Sequence, residues 1–263
     1  MNILFTLNKN YVPVLKNCIK SITRFNESKY TFFIMHSDIP QNIQESIIKE
    51  FPEEEFNFLY MDKKLFEDFP KNKRYPQEMY YRILAADFLP ESIDKILYLD
   101  PDTIVIKPLD ELYNIDLGGN YFAACTHTKK FLTEFNRIRL GMDENAPYIN
   151  SGVMLMNIKE LRKHQSRKEL INYIEEKGSV FMLPDQDIIS ALYGDKILLI
   201  DQYRYNLSDR MITFHNSNPK NQKIDLPWVK NNTVIIHYFG KNKPWNENYK
   251  GILDCFYKEM QIQ

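Results

Sequence analysis

Three patterns that would assign a common chemistry are missing from this 263-residue chain. It contains neither GxGxxG nor GxxxxGK[ST], so neither a dinucleotide-binding loop nor a P-loop is supported. The GxSxG elbow of a Ser/His/Asp hydrolase is also absent. The chemistry of this chain must therefore be sought in other residues.

Cysteine and long apolar runs are scarce as well. The three cysteines, Cys18, Cys125 and Cys255, form no CxxC pair and are odd in number, which favours a reducing compartment. No apolar run approaches the ~18 residues that a membrane span needs, and the sequence shows no basic and apolar leader. We expect a cytoplasmic protein without a transmembrane segment, in at most peripheral contact with the inner membrane surface.

The charges nearly cancel, because 34 basic residues stand against 35 acidic ones for a formal net charge of -1. A chain without a broad basic field has no general attraction for nucleic acid, so we expect none as a partner. Any charged ligand must be held by a local site. With 44% hydrophobic residues the chain can bury the core of one large α/β domain.

Strand-like runs alternate with amphipathic helical segments through the first hundred residues, which predicts a mostly parallel central sheet flanked by helices. The predicted strands are 2–7, 30–36, 56–61, 95–99, 121–125, 153–157, 197–200 and 234–238. The predicted helices are 12–24, 41–51, 77–88, 158–164, 167–176 and 186–193. The order is mixed in the second half, and no flexible linker interrupts the chain. We therefore expect a single α/β catalytic domain over residues 1–263.

The most informative segment is the apolar strand that runs into Asp100-Pro101-Asp102. Ligands of open α/β sheets bind outside the carboxyl ends of the strands. Residues i and i+2 of an extended segment project to one side, and proline restricts the backbone between them, so both carboxylates can reach one cation. Hard divalent ions such as Mg²⁺ and Mn²⁺ prefer these oxygens. The alternative is an ordinary turn with two solvated acids.

A second polar segment, HYFGKNKPW, follows the late strand and starts at His237. A histidine at the end of a buried strand is either a hydrogen-bonded core residue or a ligand. Gly240 would allow close backbone approach and Lys243 could neutralise a phosphate.

Two further segments, NSG at 150–152 and PDQD at 184–187, also lie at element ends. Taken alone, NSG is explained by a turn and Asp185 by a helix N-cap. Glycoside hydrolysis by carboxylates alone stays open, although it does not need an Asp pair combined with a histidine.

Six motifs, in order, resemble the family 8 glycosyltransferases over about residues 2–245. They are NKNY, YYRIL, LYLDPD, YINSGVMLMN, LPDQDII and HYFGKNKPW. That family includes the glycogenins and the bacterial lipopolysaccharide galactosyl- and glucosyltransferases. The resemblance implies a GT-A fold and a retaining enzyme that uses a nucleotide-diphosphate sugar with Mn²⁺, or with Mg²⁺ in its place. It also implies a nucleotide-binding half at 1–105 and a donor-sugar and acceptor half at 106–263.

The resemblance also implies a role for individual residues. Asp100, Asp102 and His237 would hold the cation. The nucleotide would contact Leu7, Asn8, Asn10, Tyr11, Pro101, Gly240 and Lys243, with Tyr11 stacking on uracil. The donor sugar would contact Arg82, Asn150, Gly152, Asp185 and Gln186, of which Asp185 and Gln186 are the catalytic pair. The alternative for Arg82 is a helix residue whose charged end reaches the solvent.

Two positions depart from the family pattern. Asn8 stands where family members often have aspartate, which bears on uracil recognition. His127 stands where the bacterial galactosyltransferases have an aspartate near the donor sugar and the acceptor. His127 is therefore the candidate acceptor residue, and it bears on the choice of acceptor and sugar.

The expected reaction transfers glucose or galactose from UDP-glucose or UDP-galactose to a hydroxyl of a glycan or lipid-linked glycan, in bacterial surface-glycan or lipopolysaccharide synthesis. We expect front-face attack with retention, because the amide of Gln186 is a weak nucleophile. The rival is a haloacid dehalogenase-type phosphatase, in which Asp100 would attack phosphorus and Asp102 would be the general acid. Against it, about three strands precede the motif, and Asp195 and Asp201 copy its acidic metal motif poorly. A nucleotide-sugar-binding protein without catalysis is the third alternative.

Overall fold

The computed structural model describes residues 1–25, 29–67, 69, 77–128 and 130–262. The strands are β1 (Asn2–Thr6), β2 (Thr31–His36), β3 (Glu55–Tyr60), β4 (Lys95–Leu99), β5 (Thr103–Val105), β6 (Phe122–Cys125), β7 (Asn150–Asn157), β8 (Ile197–Leu199) and β9 (Ile235–His237). The α-helices are α1 (Val12–Thr23), α2 (Gln41–Glu50), α3 (Ala85–Phe88), α4 (Asp110–Tyr113), α5 (Lys130–Leu140), α6 (Ile158–His164), α7 (Arg167–Lys177), α8 (Pro184–Tyr193), α9 (Gln202–Tyr205), α10 (Asp209–Asn216), α11 (Leu226–Asn232) and α12 (Asp254–Ile262).

The main sheet has the strand order β3-β2-β1-β4-β7-β6-β8. Strands β3, β2, β1 and β4 are parallel neighbours, and β8 is parallel to β6. Only β7 runs against both of its partners, β4 and β6, among the paired strands of the described residues. The predicted α/β class with a mostly parallel central sheet is confirmed.

Helices cover both faces of this sheet, because successive strand residues point to opposite sides. Leu4 of β1 packs in one buried cluster with residues of α3, α6, α7 and α8. Its neighbours Ile3 and Phe5 pack in a second cluster with α1, α2 and α4. Burial on both faces explains why these strands are almost entirely apolar.

A small second sheet pairs β5 with β9 in antiparallel orientation, with Thr103 opposite His237. Ile104 and Ile236 of this pair enter a third core cluster together with residues of α10, α11 and α12. The pairing of β5 with β9 thus brings the late polar segment, which starts at His237, to the Asp100-Pro101-Asp102 turn at the end of β4.

The structure differs from the predicted elements in two segments, and it contains further short elements that were not predicted. The segment 77–88 is a 3₁₀ turn (Gln77–Tyr80) followed by irregular turns and the short α3, because every residue from 78 to 86 is buried, whereas a regular helix buries one face. Strand β7 begins at Asn150, so NSG is part of a strand and its interpretation as a turn is wrong. The short β5 and the helices α4, α5 and α9 to α12 were not predicted.

Among the described residues, no helix is both long enough and apolar enough to cross a membrane.

Candidate active site

The turn after β4 directs two carboxylates to one side of the sheet edge. The Asp100 carbonyl oxygen accepts hydrogen bonds from the Thr103 N–H, at 3.2 Å, and from the Thr103 hydroxyl, at 2.9 Å. The Asp100 N–H donates to the Gly152 carbonyl at 2.7 Å, which extends the pairing of β4 with β7. Pro101 is buried inside this turn.

His237 completes a group of three potential ligands. Its Nε2 lies 3.3 Å from Asp102 Oδ1 and 3.6 Å from Asp100 Oδ2. One ligand atom from each of the three residues lies within 4.8 Å of the others. The His237 side chain is only 1% exposed, and its Nε2 has no hydrogen-bond partner.

These three residues fit a divalent cation. A buried nitrogen without a partner, aimed at two carboxylates, is costly unless an ion or a proton fills the space between them. Carboxylate oxygens suit Mg²⁺ and Mn²⁺, and imidazole is a common additional ligand of transition metals. The alternative of two solvated acids in a turn is wrong, because the Asp102 side chain is only 9% exposed.

Lys243 lies beside this group. Its ammonium contacts Asp102 Oδ2 and donates to the Tyr238 carbonyl at 2.8 Å. Burial by itself would raise the pKa of Asp102, but His237 and Lys243 lower it below the usual range. Asp102 is therefore a carboxylate at neutral pH. The nearby Gly240 adopts a φ of 85°, a left-handed conformation that favours glycine.

Arg82 links the first aspartate to the donor-sugar candidates. One guanidinium nitrogen lies 2.9 Å from Asp100 Oδ1, and another lies 3.3 Å from Asp185 Oδ2 and donates to the Ser151 carbonyl at 3.1 Å. The guanidinium also lies over the ring of Tyr98, 4.3 Å from its centre. Arg82 is buried, so its interpretation as a helix residue reaching the solvent is wrong.

Asp185 is a buried partner of this arginine. Helix α8 begins at Pro184 and has no side-chain cap, so the interpretation of Asp185 as an N-cap is wrong. Its Oδ2 instead accepts a hydrogen bond from the Ser151 hydroxyl at 2.6 Å. Burial raises the pKa of Asp185, and Arg82 and Ser151 act in the opposite direction.

The residues after β1, here called the rim, lie at the same edge of the sheet as the Asp100-Pro101-Asp102 turn, because β1 and β4 are parallel neighbours. Asn8 caps a 3₁₀ turn by accepting from the Asn10 N–H at 3.1 Å, and Leu7 is buried beneath it. Tyr11 is 37% exposed and lies edge-on to Trp245, with ring centres 6.5 Å apart. An exposed ring at this rim is available for stacking on a base.

A chain of buried amides connects the remaining candidates. Asn150 Nδ2 donates to Gln186 Oε1 at 2.8 Å, and Asn150 Oδ1 accepts from Asn206 Nδ2 at 2.9 Å. Asn206 Oδ1 lies 2.9 Å from His237 Nδ1. The sequence reasoning did not identify Asn206, which lies in no motif singled out above.

His127 lies near the metal-site residues without contacting an acid. Its ring stacks on Phe239 at 4.9 Å, and Phe239 lies edge-on to His237 at 5.3 Å. Both ring nitrogens of His127 are buried without a side-chain hydrogen-bond partner, and a backbone contact with Asn206 opposes part of the effect of burial on the pKa of the ring. Burial, with a smaller contribution from His237, lowers the pKa of His127 to about 3.

Sequence reasoning also missed Tyr98 and Ser151. The Tyr98 hydroxyl donates to Asp100 Oδ1 at 2.7 Å and lies 3.0 Å from the Thr6 hydroxyl. Both residues lie inside the quoted motifs, Tyr98 two positions before Asp100 and Ser151 between Asn150 and Gly152. The spacing of Tyr98 is the signal that could have identified it, because alternate strand residues such as Tyr98 and Asp100 share a face. Ser151 alternates with Asn150 and Gly152, and its contacts with Asp185 and Arg82 are seen only in the structure.

The acids required by a phosphatase serve other purposes in this fold. Asp195 is exposed beside Lys196, and Asp201 caps α9 by accepting from the Tyr203 N–H at 2.7 Å. Within the described part of the chain, one group of three or more His, Cys, Asp or Glu side chains could hold a metal ion. It consists of Asp100, Asp102 and His237. The phosphatase alternative is therefore not supported.

Comparisons with known proteins show the family and the fold of this chain. Residues 2–249 match the model of glycosyl transferase family 8. A putative glycosyltransferase of Haemophilus influenzae is 30% identical, and the alignment covers 94% of this chain and 73% of that protein. A lipopolysaccharide 1,2-glucosyltransferase of Escherichia coli is 25% identical over the same shares of the two chains.

Solved structures show the same fold. A crystal structure of the galactosyltransferase LgtC with donor and acceptor sugar analogues superimposes with a TM-score of 0.84 at 24% identity, covering 99% of this chain and 95% of that one. The glycosyltransferase GlyE of Streptococcus pneumoniae gives a TM-score of 0.74 at 23% identity, covering 100% of this chain and 60% of that one. The family model spans nearly the whole chain and the fold agrees, so this protein belongs to glycosyl transferase family 8, as its motifs predicted.

Proposed function

We propose that this protein transfers glucose or galactose from UDP-glucose or UDP-galactose to a hydroxyl of a glycan or lipid-linked glycan, with retention at the anomeric carbon. The observation that carries the proposal is the convergence of Asp100, Asp102 and His237 beside Lys243 in a member of this family. The relatives named for lipopolysaccharide glucosyl transfer support a role in bacterial surface-glycan or lipopolysaccharide synthesis.

In this proposal, Asp100, Asp102 and His237 hold Mn²⁺, or Mg²⁺ in its place. When bound, the cation supplies Lewis-acid stabilisation of the UDP diphosphate. The uridine occupies the rim formed by Leu7, Asn8, Asn10 and Tyr11, with the backbone of Pro101 beside it. The exposure of Tyr11 and the burial of Leu7 support this placement.

The departure of UDP creates negative charge, which Lys243 is placed to stabilise together with the Gly240 backbone. Lys243 contacts Asp102 in this structure, so we propose that its ammonium moves from that carboxylate to the diphosphate when the donor binds. Such a cation would act where charge develops, which is the largest expected contribution to the rate.

The donor sugar is proposed to lie against Arg82, Asn150, Gly152, Asp185 and Gln186. Asp185 orients sugar hydroxyls, and its pairing with Arg82 and Ser151 supports a fixed carboxylate. The Gln186 carbonyl oxygen accepts a hydrogen bond from Asn150, which makes it a still weaker nucleophile. This supports front-face attack, in which the acceptor hydroxyl approaches on the leaving-group side and the departing phosphate takes its proton.

We propose a single catalytic domain over residues 1–263, with 1–105 binding the nucleotide and 106–263 the donor sugar and acceptor. Both halves contribute to one sheet and to the metal-site residues, which supports one functional unit. His127 is proposed as an acceptor-side residue because it stacks on Phe239 beside His237.

A cytoplasmic location with peripheral contact to the inner membrane surface is also proposed. Helix α5 begins three residues after His127 and exposes Phe131, Phe135 and Ile138, here called the α5 apolar stripe, which are 79%, 50% and 85% exposed. Positions i, i+4 and i+7 share one helix face. An exposed apolar face on the helix that follows His127 supports contact with a bilayer that holds a lipid-linked acceptor.

The decisive experiment measures thermal stabilisation by UDP with and without Mn²⁺. We expect UDP to stabilise the wild-type protein only with Mn²⁺, by about 2.7 kcal/mol when UDP is present at 100 times its Kd. Asp102→Ala should abolish this effect, whereas Asp195→Ala, at an exposed acid, should keep it. Mn²⁺-dependent UDP binding by Asp102→Ala would refute the metal assignment.

A turnover assay separates the transferase from a binding protein without catalysis. Release of UDP from UDP-glucose or UDP-galactose, with the anomeric product followed by NMR, should show the α-anomer first. An initial β-anomer would contradict retention, and UDP-sugar binding without any turnover would favour the binding protein.

A further inference from the structure

The Gly152 N–H fixes the orientation of the buried side-chain amides of Asn150, Asn206 and Gln186, because a backbone N–H can only donate a hydrogen bond. The Gly152 N–H donates to Asn150 Oδ1 at 3.2 Å. A backbone N–H only donates, so the atom it meets must be the oxygen of the Asn150 amide. The other end of that amide is then its nitrogen, and it faces Gln186 Oε1 at 2.8 Å.

The same oxygen determines how Asn206 is turned. Asn150 Oδ1 lies 2.9 Å from the Asn206 amide, so the Asn206 atom in this contact must be the nitrogen donor. The Asn206 oxygen therefore faces His237 Nδ1, at 2.9 Å. An amide oxygen only accepts, so His237 Nδ1 must carry a hydrogen.

The hydrogen on Nδ1 decides which nitrogen of His237 can bind a cation. In the neutral ring, one nitrogen is a donor and the other carries a lone pair. Asn206 assigns the lone pair to Nε2, the buried atom without a hydrogen-bond partner that faces Asp100 and Asp102. The ring is thus turned and protonated in the way a metal ligand requires.

The chain also reaches the donor-sugar side. The Asn150 nitrogen donates to Gln186, so the Gln186 atom that it contacts must be the amide oxygen. Both ends of the Gln186 amide are therefore fixed. Asn206 thereby connects the imidazole of His237 to the amide of Gln186 through one intermediate, Asn150.

We propose that Asn206 is a positioning residue with two functions: its oxygen fixes the Nδ1–H form of His237, and its nitrogen keeps Asn150 and Gln186 in register. The proposal rests on the proposed function for the identity of the cation and the donor. Asn206 is fully buried, so a substitution cannot be compensated by solvent. Partners of this kind, one step removed from the metal, typically contribute 10- to 100-fold to metal affinity.

The first test reads the tautomer directly. In the metal-free wild-type protein labelled with ¹⁵N-histidine, two-bond ¹⁵N–¹H NMR spectra should show His237 Nδ1 carrying hydrogen, with His237→Gln used to assign the signals. A His237 Nδ1 without hydrogen in the neutral ring would overturn the proposal. This readout needs neither metal nor donor, so it is independent of the proposed function.

The second test separates the two functions of Asn206 with two substitutions. Asn206→Leu removes both, and we expect Mn²⁺ affinity, measured by EPR titration, to fall about 10- to 100-fold. Asn206→Asp keeps an acceptor for His237 but cannot donate to Asn150. It should therefore bind Mn²⁺ within a few-fold of wild type, while UDP release from UDP-glucose or UDP-galactose falls at least 10-fold in kcat.

The matched control is Asn157→Leu at the opposite end of β7, where the side chain also makes two hydrogen bonds, to Asn120 and Glu160. It should leave Mn²⁺ affinity unchanged. Wild-type Mn²⁺ affinity in Asn206→Leu would overturn the proposal, and if that variant does not fold, the NMR spectrum and Asn206→Asp decide. Failure of the wild-type protein to bind Mn²⁺ would instead refute the proposed function, with the tautomer assignment intact.

Discussion

At the residue scale, Gly152 shows how tightly the site is packed. A Cβ at this position would lie 2.2 Å from His237 Cε1 and 2.7 Å from Asp100 Oδ2. Real Cβ atoms do not approach other atoms so closely, and both neighbours are fixed by other contacts. Glycine is thus required by the close approach of the imidazole to β7 and not by an unusual backbone angle.

Gly152→Ala should displace the His237 ring and separate the three ligand candidates. We expect Mn²⁺ affinity to fall by at least 10-fold and the free energy of unfolding to decrease by about 1–3 kcal/mol, as for other overpacked cores. Isothermal titration with Mn²⁺ and urea unfolding would measure these effects. Gly119→Ala is the matched control, because a Cβ there meets nothing within 4 Å; equal behaviour of the two variants would contradict the packing explanation.

A second prediction at the residue scale concerns His127 and the dependence of the free energy of unfolding on pH. Its pKa is lowered to about 3 in the native state, against about 6.5 in an unfolded chain. Below about pH 6.5 the unfolded chain therefore binds a proton that the native protein does not bind until about pH 3. Stability should decrease as the pH falls through this window, by at most about 1.4 kcal/mol per unit, and this term is absent above it.

His127→Phe removes the titrating group and keeps a ring for Phe239. Between pH 7 and pH 5 it should lose up to about 2 kcal/mol less stability than the wild type in urea unfolding. A residual slope is expected from His36, whose pKa burial also lowers. His164→Phe is the control, because that exposed ring also stacks on an aromatic partner, Tyr121. If the free energy of unfolding of His127→Phe changed with pH as steeply as that of the wild type, the prediction would be wrong.

At the element scale, a buried ion pair joins α5 to α8. Both oxygens of Asp187 accept from the Arg139 guanidinium at 2.8 Å, and Asp187 also accepts from the Tyr148 hydroxyl at 2.7 Å. The N–H groups of Met182 and Leu183 contact the same carboxylate. This cluster fixes the start of α8, and therefore the position of the two residues that precede Asp187.

Asp187→Asn should leave the Arg139 charge buried without its counter-charge. We expect the free energy of unfolding to decrease by about 3 kcal/mol, the range for breaking a buried pair, as measured by urea denaturation. Asp195→Asn, the same change at an exposed pair with a 3.7 Å separation, should stay within about 0.5 kcal/mol of wild type. Similar losses in both variants would show that the buried pair has no special role.

At the scale of the whole molecule, the α5 apolar stripe is an exposed apolar face on the helix that begins three residues after the acceptor candidate His127. Phe135→Ser combined with Ile138→Ser should reduce sedimentation with vesicles of phosphatidylethanolamine and phosphatidylglycerol by about 10-fold, because apolar area is the main source of interfacial binding. Ile48→Ser combined with Ile262→Ser removes two other exposed isoleucines and should not. Equal binding by both double variants would refute membrane contact through α5.

Much of the fold could be predicted because local patterns determine it. The apolar runs of β1, β2 and β4 and the helical spacing of α1 and α2 are set by burial on sheet faces and helix sides. The segment 77–88 could not be predicted, since the burial of residues 78–86 depends on distant partners such as Ser151 and Asp185, which hold Arg82. A short element such as β5, which has three residues, carries too few residues for a periodic signal.

The sequence by itself determined the class of the fold, the family and the positions of the motif residues, because these depend on local patterning and on side-chain chemistry at strand ends. Only the tertiary structure decided that Asn206 and Ser151 belong to the site and how the His237 ring is turned. The physical reason is that hydrogen-bond partners far apart in the chain are set by strand register. The pairing of β5 with β9, which brings His237 opposite Thr103, has no counterpart in any short stretch of sequence.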